Sequence, residues 1–498
     1  MISRQFDIPK LVTAIVLLSV FTMAVRVPNS LDMWWHLQCG KVQWHTQAVL
    51  KSDVFSHTAA GTPWVNQSWL PQLVMYGLYT IGGLPALALA VAVLVAATFA
   101  FVLSSGHSEG RYGLFWRAFI VLWAAISTGR VWAVRPHLVT FLMAAVWSHV
   151  LDRSRHGQTA GRARVLWYLP VLMLAWANSH GGFIIGFVLL GAEIAGVLVD
   201  ALWHRRFEGL WTNVRPLLVV TGLSALAALL NPQGIRLLVF PLQTLGSAAQ
   251  QNMIAEWASP DFHATDMLPF LGLLLATWSA LAWSKEPVQG IEWCRLLIFT
   301  AMALRSGRYI GLCAVIIAPI LVRHGGLALA RLGANWGRHP SAGTRTRGLP
   351  ILNGVLLFLL FIAAGVKISL PLSAETLARV QSQIFPVRAV EVLRTQPEPL
   401  TLFNEYGWGG YLIWQLYPDI PVFIDGRADP YGDELIAAYH QVISARPGWA
   451  AILETYHVQG ALIAPYSALA SAMEESDEWT QTYGDSTATL FVLTTKTP

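Results

Sequence analysis

Long apolar runs recur along the chain almost to residue 370, each interrupted by a polar stretch, and then stop. A membrane-crossing helix needs about 20 predominantly apolar residues. On that scale the pattern predicts about eleven spans, centred on residues 11–25, 85–104, 113–128, 136–151, 165–177, 183–203, 216–230, 267–283, 295–304, 309–322 and 349–370. The first run follows Arg4 and Lys10 but lacks a small-x-small cleavage signal, so it is expected to remain as an uncleaved signal-anchor. Beyond residue 372 short apolar strands (400–403, 422–424, 461–464, 489–493) alternate with helical stretches (411–417, 434–444, 449–456). The expected fold is mostly α. A polytopic membrane helix bundle over 1–371 precedes an extracytoplasmic α/β domain over 372–498, with a large first outer loop at 26–84.

Composition agrees with that pattern. Hydrophobic residues make up 55% and charged residues 12%, about half the charged fraction of ordinary soluble domains. The last 127 residues carry 6 Lys and Arg against 15 Asp and Glu, so the net charge of +5 conceals an acidic tail and a basic membrane part. The predicted loops on one side, together with the N-terminal tail, contain 18 of the 33 Lys and Arg, with RSRHGQTAGRAR at 153–164 and the stretch 323–347 the densest. Because cytoplasmic loops are enriched in these residues, the N-terminus is expected inside and the C-terminal domain outside. These arginines are read as topology signals. Cys39, Cys294 and Cys313 fall in different compartments, which supports neither a disulfide framework nor a metal cluster.

The outer loops then hold the candidate chemistry. The first contains Asp32, His36, Asn66 and the tryptophans Trp34, Trp35, Trp44, Trp64 and Trp69, in stretches that suit interfacial helices. An aromatic belt explains the tryptophans but not a carboxylate at a span mouth; a helix N-cap role for Asp32 is the structural alternative. Arg130, Arg135, His137, His180, Arg305, Arg308 and Tyr309 stand at the ends of later spans. Single arginines there snorkel to lipid headgroups, but four against the charge bias, with two histidines, point to a common anionic ligand, and Arg suits phosphate. Glu256, Trp257, Asp261 and His263 add carboxylates on the same face, in a spacing that matches no metal-ligand pattern. In the tail, Asp425 and Arg427 read either as a buried structural pair or as part of an acceptor site.

Taken in order, DMWWHLQCGK, DVFSHTAAGTPWVNQSWL, RPHLVTF, WANSHGGFIIG, NPQGIRLLVFPLQ, IAEWASPDF, FNEYGWGGYLIW and VFIDGRADPYGD resemble the bacterial integral-membrane glycosyltransferases of the GT-C type. That class includes the protein O-mannosyltransferases and aminoarabinose transferases and, more distantly, the oligosaccharyltransferases. The resemblance implies a GT-C-like bundle that moves a sugar from a polyprenyl-phosphate donor to a lipid, glycan or protein acceptor at the outer face. It implies an acidic residue at the end of the first span as the base, which here is Asp32. Relatives often carry a second acid beside it; Met33 and Trp34 stand there instead, and Glu256 is the candidate replacement.

On this reading the leaving group is already a stable phosphate, so one base suffices. Asp32 would take the acceptor hydroxyl's proton in an inverting displacement, with His36 one helical turn on to orient it. Arg130, Arg135, Arg305 and Arg308, with His137, His180 and Tyr309, would hold the donor phosphate. Trp35, Asn66, Trp69, Trp257, Asp261, Asp425 and Arg427 are the candidate acceptor contacts. Membrane lipids are expected partners and nucleic acid is not. No cofactor is called for with certainty, a divalent metal being the one candidate. A lipid or glycan flippase, or a polytopic scaffold with a partner-binding outer domain, are the rival functions; the absence of an internal repeat and the polar residues on one face favour the enzyme.

Overall fold

A computed structural model describes residues 8–105, 113–156, 164–247, 250–251, 255–331 and 350–494. Residues 157–163 and 332–349, which carry part of the expected inner-loop charge, lie outside the described residues. Helices occupy every predicted span. Among the described residues, seven are long and apolar enough to cross a membrane: Trp69–Ser104, Leu114–Val131, Gly181–Trp203, Leu210–Leu229, Thr265–Trp283, Gly307–Leu329 and Ile351–Ser369. The chain is a multi-pass membrane protein. The other four predicted spans are helices of shorter or more polar build: Ile8–Ala24, His137–His156, Tyr168–Ala177 and Gly290–Arg305. Trp69–Ser104 is broken at Gly82 and Gly83, just before Pro85.

The chain forms two compact units. The first comprises Met1–Arg26, Ala88–Gly234 and Ala255–Pro371. Its best-buried element is the helix Ile310–Arg331, packed on Leu114–Thr128, Leu268–Trp283 and Gly290–Arg305, with Leu312 to Ala318 removed from solvent. The helix Pro350–Ser369 instead leaves Ile351, Phe358, Leu359 and Val366 exposed, a surface suited to hydrocarbon. Inside this unit lies a network of charges. Arg295 bridges Asp152 (2.8 Å) and Glu193 (3.3 Å), Arg155 reaches the same two carboxylates, and Arg323 joins Glu292 (3.0 Å) to Glu286 (3.2 Å). Arg155 and Arg323, read from the sequence as topology signals first, also tie helices together.

The second unit comprises Val27–Leu87, Ile235–Ile254 and Leu372–Pro498. It contains a four-stranded sheet of β1 (Leu402–Asn404), β2 (Gly460–Ile463), β3 (Trp479–Gly484) and β4 (Thr489–Leu493), in the order β1-β2-β4-β3. β1 and β2 are parallel and the other pairs antiparallel, with Phe403 opposite Ala461 and Ala461 opposite Phe491. Phe403, Phe423, Tyr439, Val442, Leu453 and Phe491 form the core beneath it. The predicted strand 422–424 does not join this sheet. It pairs with the first long loop: Val422 N–H donates to the Phe55 carbonyl (3.0 Å) and His57 N–H to the Val422 carbonyl (3.0 Å). That loop, expected at 26–84 to hold interfacial helices, contains two helical segments, Met33–Thr46 and the part of Trp69–Ser104 that precedes its break at Gly82 and Gly83, with no helix between them. Met33–Thr46 packs on the helix Gly409–Leu416. β3 and the helices Ala374–Ile384, Val387–Arg394 and Ala468–Glu474 were not anticipated; β3 is an edge strand with a mostly exposed, polar sequence.

Candidate functional site

The candidate residues fall into two groups, one in each unit. In the second unit the backbone turns into helix at Met33, leaving Asp32 half-buried at its start. Asp32 stands at the N-cap position, but its side chain makes no capping bond; Asp32 Oδ1 accepts from Trp35 Nε1 at 3.2 Å. Gly426 is pressed so closely on this carboxylate that any side chain there would have to push it aside. His36 is buried against Trp35, ring centroids 3.5 Å apart, with its Nδ1 3.3 Å from the Gln72 amide nitrogen. Gln72 Oε1 in turn accepts from Gln43 (2.9 Å) and Asn66 (2.8 Å), so Asn66 belongs to a buried amide network. Trp69 opens the following helix, half-buried.

Beside Gly426 lies the most completely buried ion cluster of this unit. Arg427 has no exposed side-chain surface and lies between Asp425 (2.6 Å) and Asp53 (2.5 Å). Tyr431 donates its hydroxyl to Asp425, and the guanidinium lies about equally far, 5.1 Å, from the rings of Phe55 and Trp64. Asp53 is held further by Phe55 and Ser56 N–H groups. Burial alone would lower the Arg427 pKa, but Asp425, Tyr431 and Asp53 together push it well above the usual arginine value. Asp425 and Arg427 thus form the buried pair that was one of their two sequence readings. Asp53, which completes it from the first loop, carries no sequence signal of its partner.

In the first unit Arg135, His137, His180, Glu256, Trp257 and Arg308 converge. Arg135 Nη1 donates to Glu256 Oε1, and the Arg308 guanidinium lies over the Trp257 ring, 4.3 Å from its centroid. Burial would raise the Glu256 pKa, but Arg135 above all, then Arg308 and His137, hold it below the ordinary carboxylate value. His137 Nε2 lies 2.7 Å from the Val131 carbonyl. His180 Nδ1 accepts from Gly182 N–H (3.0 Å) and lies 2.9 Å from Thr140 Oγ1, which takes a bond from Trp176 Nε1. With burial first and then His137, Arg308 and Arg135 depressing its pKa well below the usual value, His180 stays neutral. Gly182 is required by the same approach, because a Cβ there would fall 2.4 Å from Thr140 Oγ1. Thr140, one turn after His137, and Trp176 were missed in the sequence; the i,i+3 spacing to His137 was the available signal.

The remaining candidates stand apart from that cluster. Arg130 pairs with Asp266 at 3.1 Å, both well exposed. Arg305 is exposed, and its carbonyl accepts from Ser259 Oγ (3.3 Å), while Tyr309 closes a 3-10 turn with Arg308. Asp261 accepts from the His263 N–H (2.9 Å) in a local turn. Glu256, Asp261 and His263 therefore do not gather around a common point, and no group of three metal-ligating side chains exists among the described residues.

Neither a protein-family model nor a curated protein matches this chain. Solved structures do. The crystal structure of ArnT from Cupriavidus metallidurans bound to undecaprenyl phosphate aligns over 97% of this chain and 98% of its own, at TM-score 0.51 and 14% identity. The chain has the GT-C glycosyltransferase fold. The Archaeoglobus fulgidus oligosaccharyltransferase, tethered to an acceptor peptide containing the NVT sequon, aligns over 91% of this chain and 68% of its own, at TM-score 0.54 and 12% identity. The GT-C fold thus runs through both units, from the membrane helices to the small sheet.

Proposed function

We propose that this protein is a membrane glycosyltransferase that moves a sugar from a polyprenyl-phosphate donor to an acceptor at the outer face of a bacterial inner membrane. The observation that carries the proposal is the alignment of nearly the whole chain with a structure that holds undecaprenyl phosphate. The two clusters support it chemically. Arg135 and Arg308 supply charge for a lipid phosphate at the ends of spans, and Arg130 and Arg305, outside that cluster, are not part of the proposed phosphate contact. His137 and His180 stand with them in the same cluster, and Tyr309 follows Arg308 in the chain. Asp32, its Oδ1 oriented by Trp35 Nε1, supplies the base.

In the proposed reaction the acceptor hydroxyl attacks the anomeric carbon as Asp32 takes its proton, the glycosyl–phosphate bond breaks, and the polyprenyl phosphate leaves with inversion. Trp35, three residues after Asp32, and Trp69, from the same loop, are assigned to the acceptor. Asp425, Arg427 and Asn66 act from behind, as supports. N-terminus inside and C-terminal sheet outside complete the arrangement. The test is incubation of the purified protein in vesicles with labelled polyprenyl-phosphate sugars. Sugar transfer is expected; movement of the labelled lipid across the bilayer without transfer would identify a flippase, and neither would leave a scaffold.

A further inference from the structure

The Arg135 guanidinium is already occupied by an anion from its own chain. Three features make that anion easy to release. Its side chain keeps 47% of its surface in solvent, so leaving does not strand a buried charge. An exposed ion pair is worth only ~0.2–1 kcal/mol. And the backbone beneath it is fixed independently: Ser306 Oγ donates to the Glu256 carbonyl (3.0 Å) and Gly307 N–H to the Ala258 carbonyl (2.9 Å). Only the side chain has to swing.

A second guanidinium stands beside the pair: Arg308 lies over the Trp257 ring, 4.3 Å from its centroid, next to the Glu256 that Arg135 holds. Carboxylate and phosphate oxygens use the same guanidinium fork. Resting on the assignment of these arginines to the donor, we propose that Glu256 is an internal stand-in for the donor phosphate, displaced from Arg135 when the donor binds. The residue is thereby a selectivity element: an anion must bind better than the tethered carboxylate to enter. Free inorganic phosphate, with no lipid anchor to hold it, fails that comparison, and a polyprenyl phosphate passes it. This moves Glu256 from the catalytic to the donor-binding part of the site.

The experiment is equilibrium binding of a polyprenyl monophosphate to the full-length protein in micelles, with and without excess inorganic phosphate. Glu256→Gln, which removes the charge but keeps the shape, is expected to bind the lipid about two- to fivefold more tightly and to become sensitive to inorganic phosphate. Glu256→Asp, which keeps the charge but shortens the reach, should tighten binding in the same direction. Arg135→Ala should weaken it. Unchanged or weaker binding in both Glu256 variants, with Arg135→Ala still impaired, overturns the stand-in while leaving the donor site intact. If Arg135→Ala and Arg308→Ala both bind normally, the donor site itself is elsewhere and the inference falls with it.

Discussion

Gly426 lies directly against Asp32: a Cβ on residue 426 would fall 2.0 Å from Asp32 Oδ1 and 3.4 Å from Trp35 Nε1. Real carbon–oxygen contacts do not come that close, so any side chain at 426 must push the carboxylate aside. Gly426→Ala is therefore expected to lower kcat by about 100-fold, since a displacement near 1 Å costs that much in a positioned group. The thermal midpoint should change little, because Gly426 is only half-buried. Wild-type turnover in this variant would show that the Asp32 position is not used in transfer.

Asp32→Asn tests the base itself. Asparagine retains an oxygen for the Trp35 bond and no capping bond is lost, so insertion and yield should match the parent. Sugar transfer should fall by about 10²- to 10⁴-fold, the usual contribution of general base catalysis. Activity within a factor of two of wild type would remove Asp32 from the mechanism.

Arg427→Met leaves Asp53 and Asp425 facing one another in a site with no solvent access. Breaking a buried ion pair in this way costs about 3–5 kcal/mol. Loss of the second unit's fold is the expected result, read as increased protease cleavage between residues 47 and 68. For comparison, Arg130→Met removes an exposed pair with Asp266 and should change stability by less than about 1 kcal/mol.

Glu405 carries a pH dependence. Burial raises its pKa above the ordinary 4.5, although the Ala464 N–H and the Tyr439 hydroxyl favour its ionised form. A raised folded value means that the native protein binds the proton first as pH falls, so its contribution to stability is complete below 4.5 and is lost as pH rises through the folded value. Glu405→Gln should consequently raise the melting midpoint at neutral pH and give no advantage in acid. A gain that persists unchanged at low pH would contradict this assignment.

What could be read from the sequence follows the length of its interactions. A helix stands at each of the eleven apolar runs, because the thickness of a bilayer imposes a repeat on the chain. β4 matched its apolar run residue for residue, 489–493. The segment 422–424 was apolar enough to be a strand, but its partner is Phe55 from the first loop, and no local pattern reports a pairing across that distance. The candidate site divides in the same way. Asp32 was visible as a lone carboxylate after an apolar run. The pairing of Arg135 with Glu256, 121 residues away, and of Arg427 with Asp53 was not, because ion pairs have no periodicity.

The Asp53–Arg427 bond also orders events during synthesis. At ~5–20 residues per second, roughly 370 residues and about 20–75 s separate the ribosome's completion of the two partners. For that interval Asp53 has no Arg427, Phe55 and His57 have no Val422, and the first loop has nothing to fold on. A nascent chain stalled before residue 427 would expose the loop's tryptophans and a pair-seeking carboxylate together, a natural handle for chaperones and proteases of the compartment that receives it.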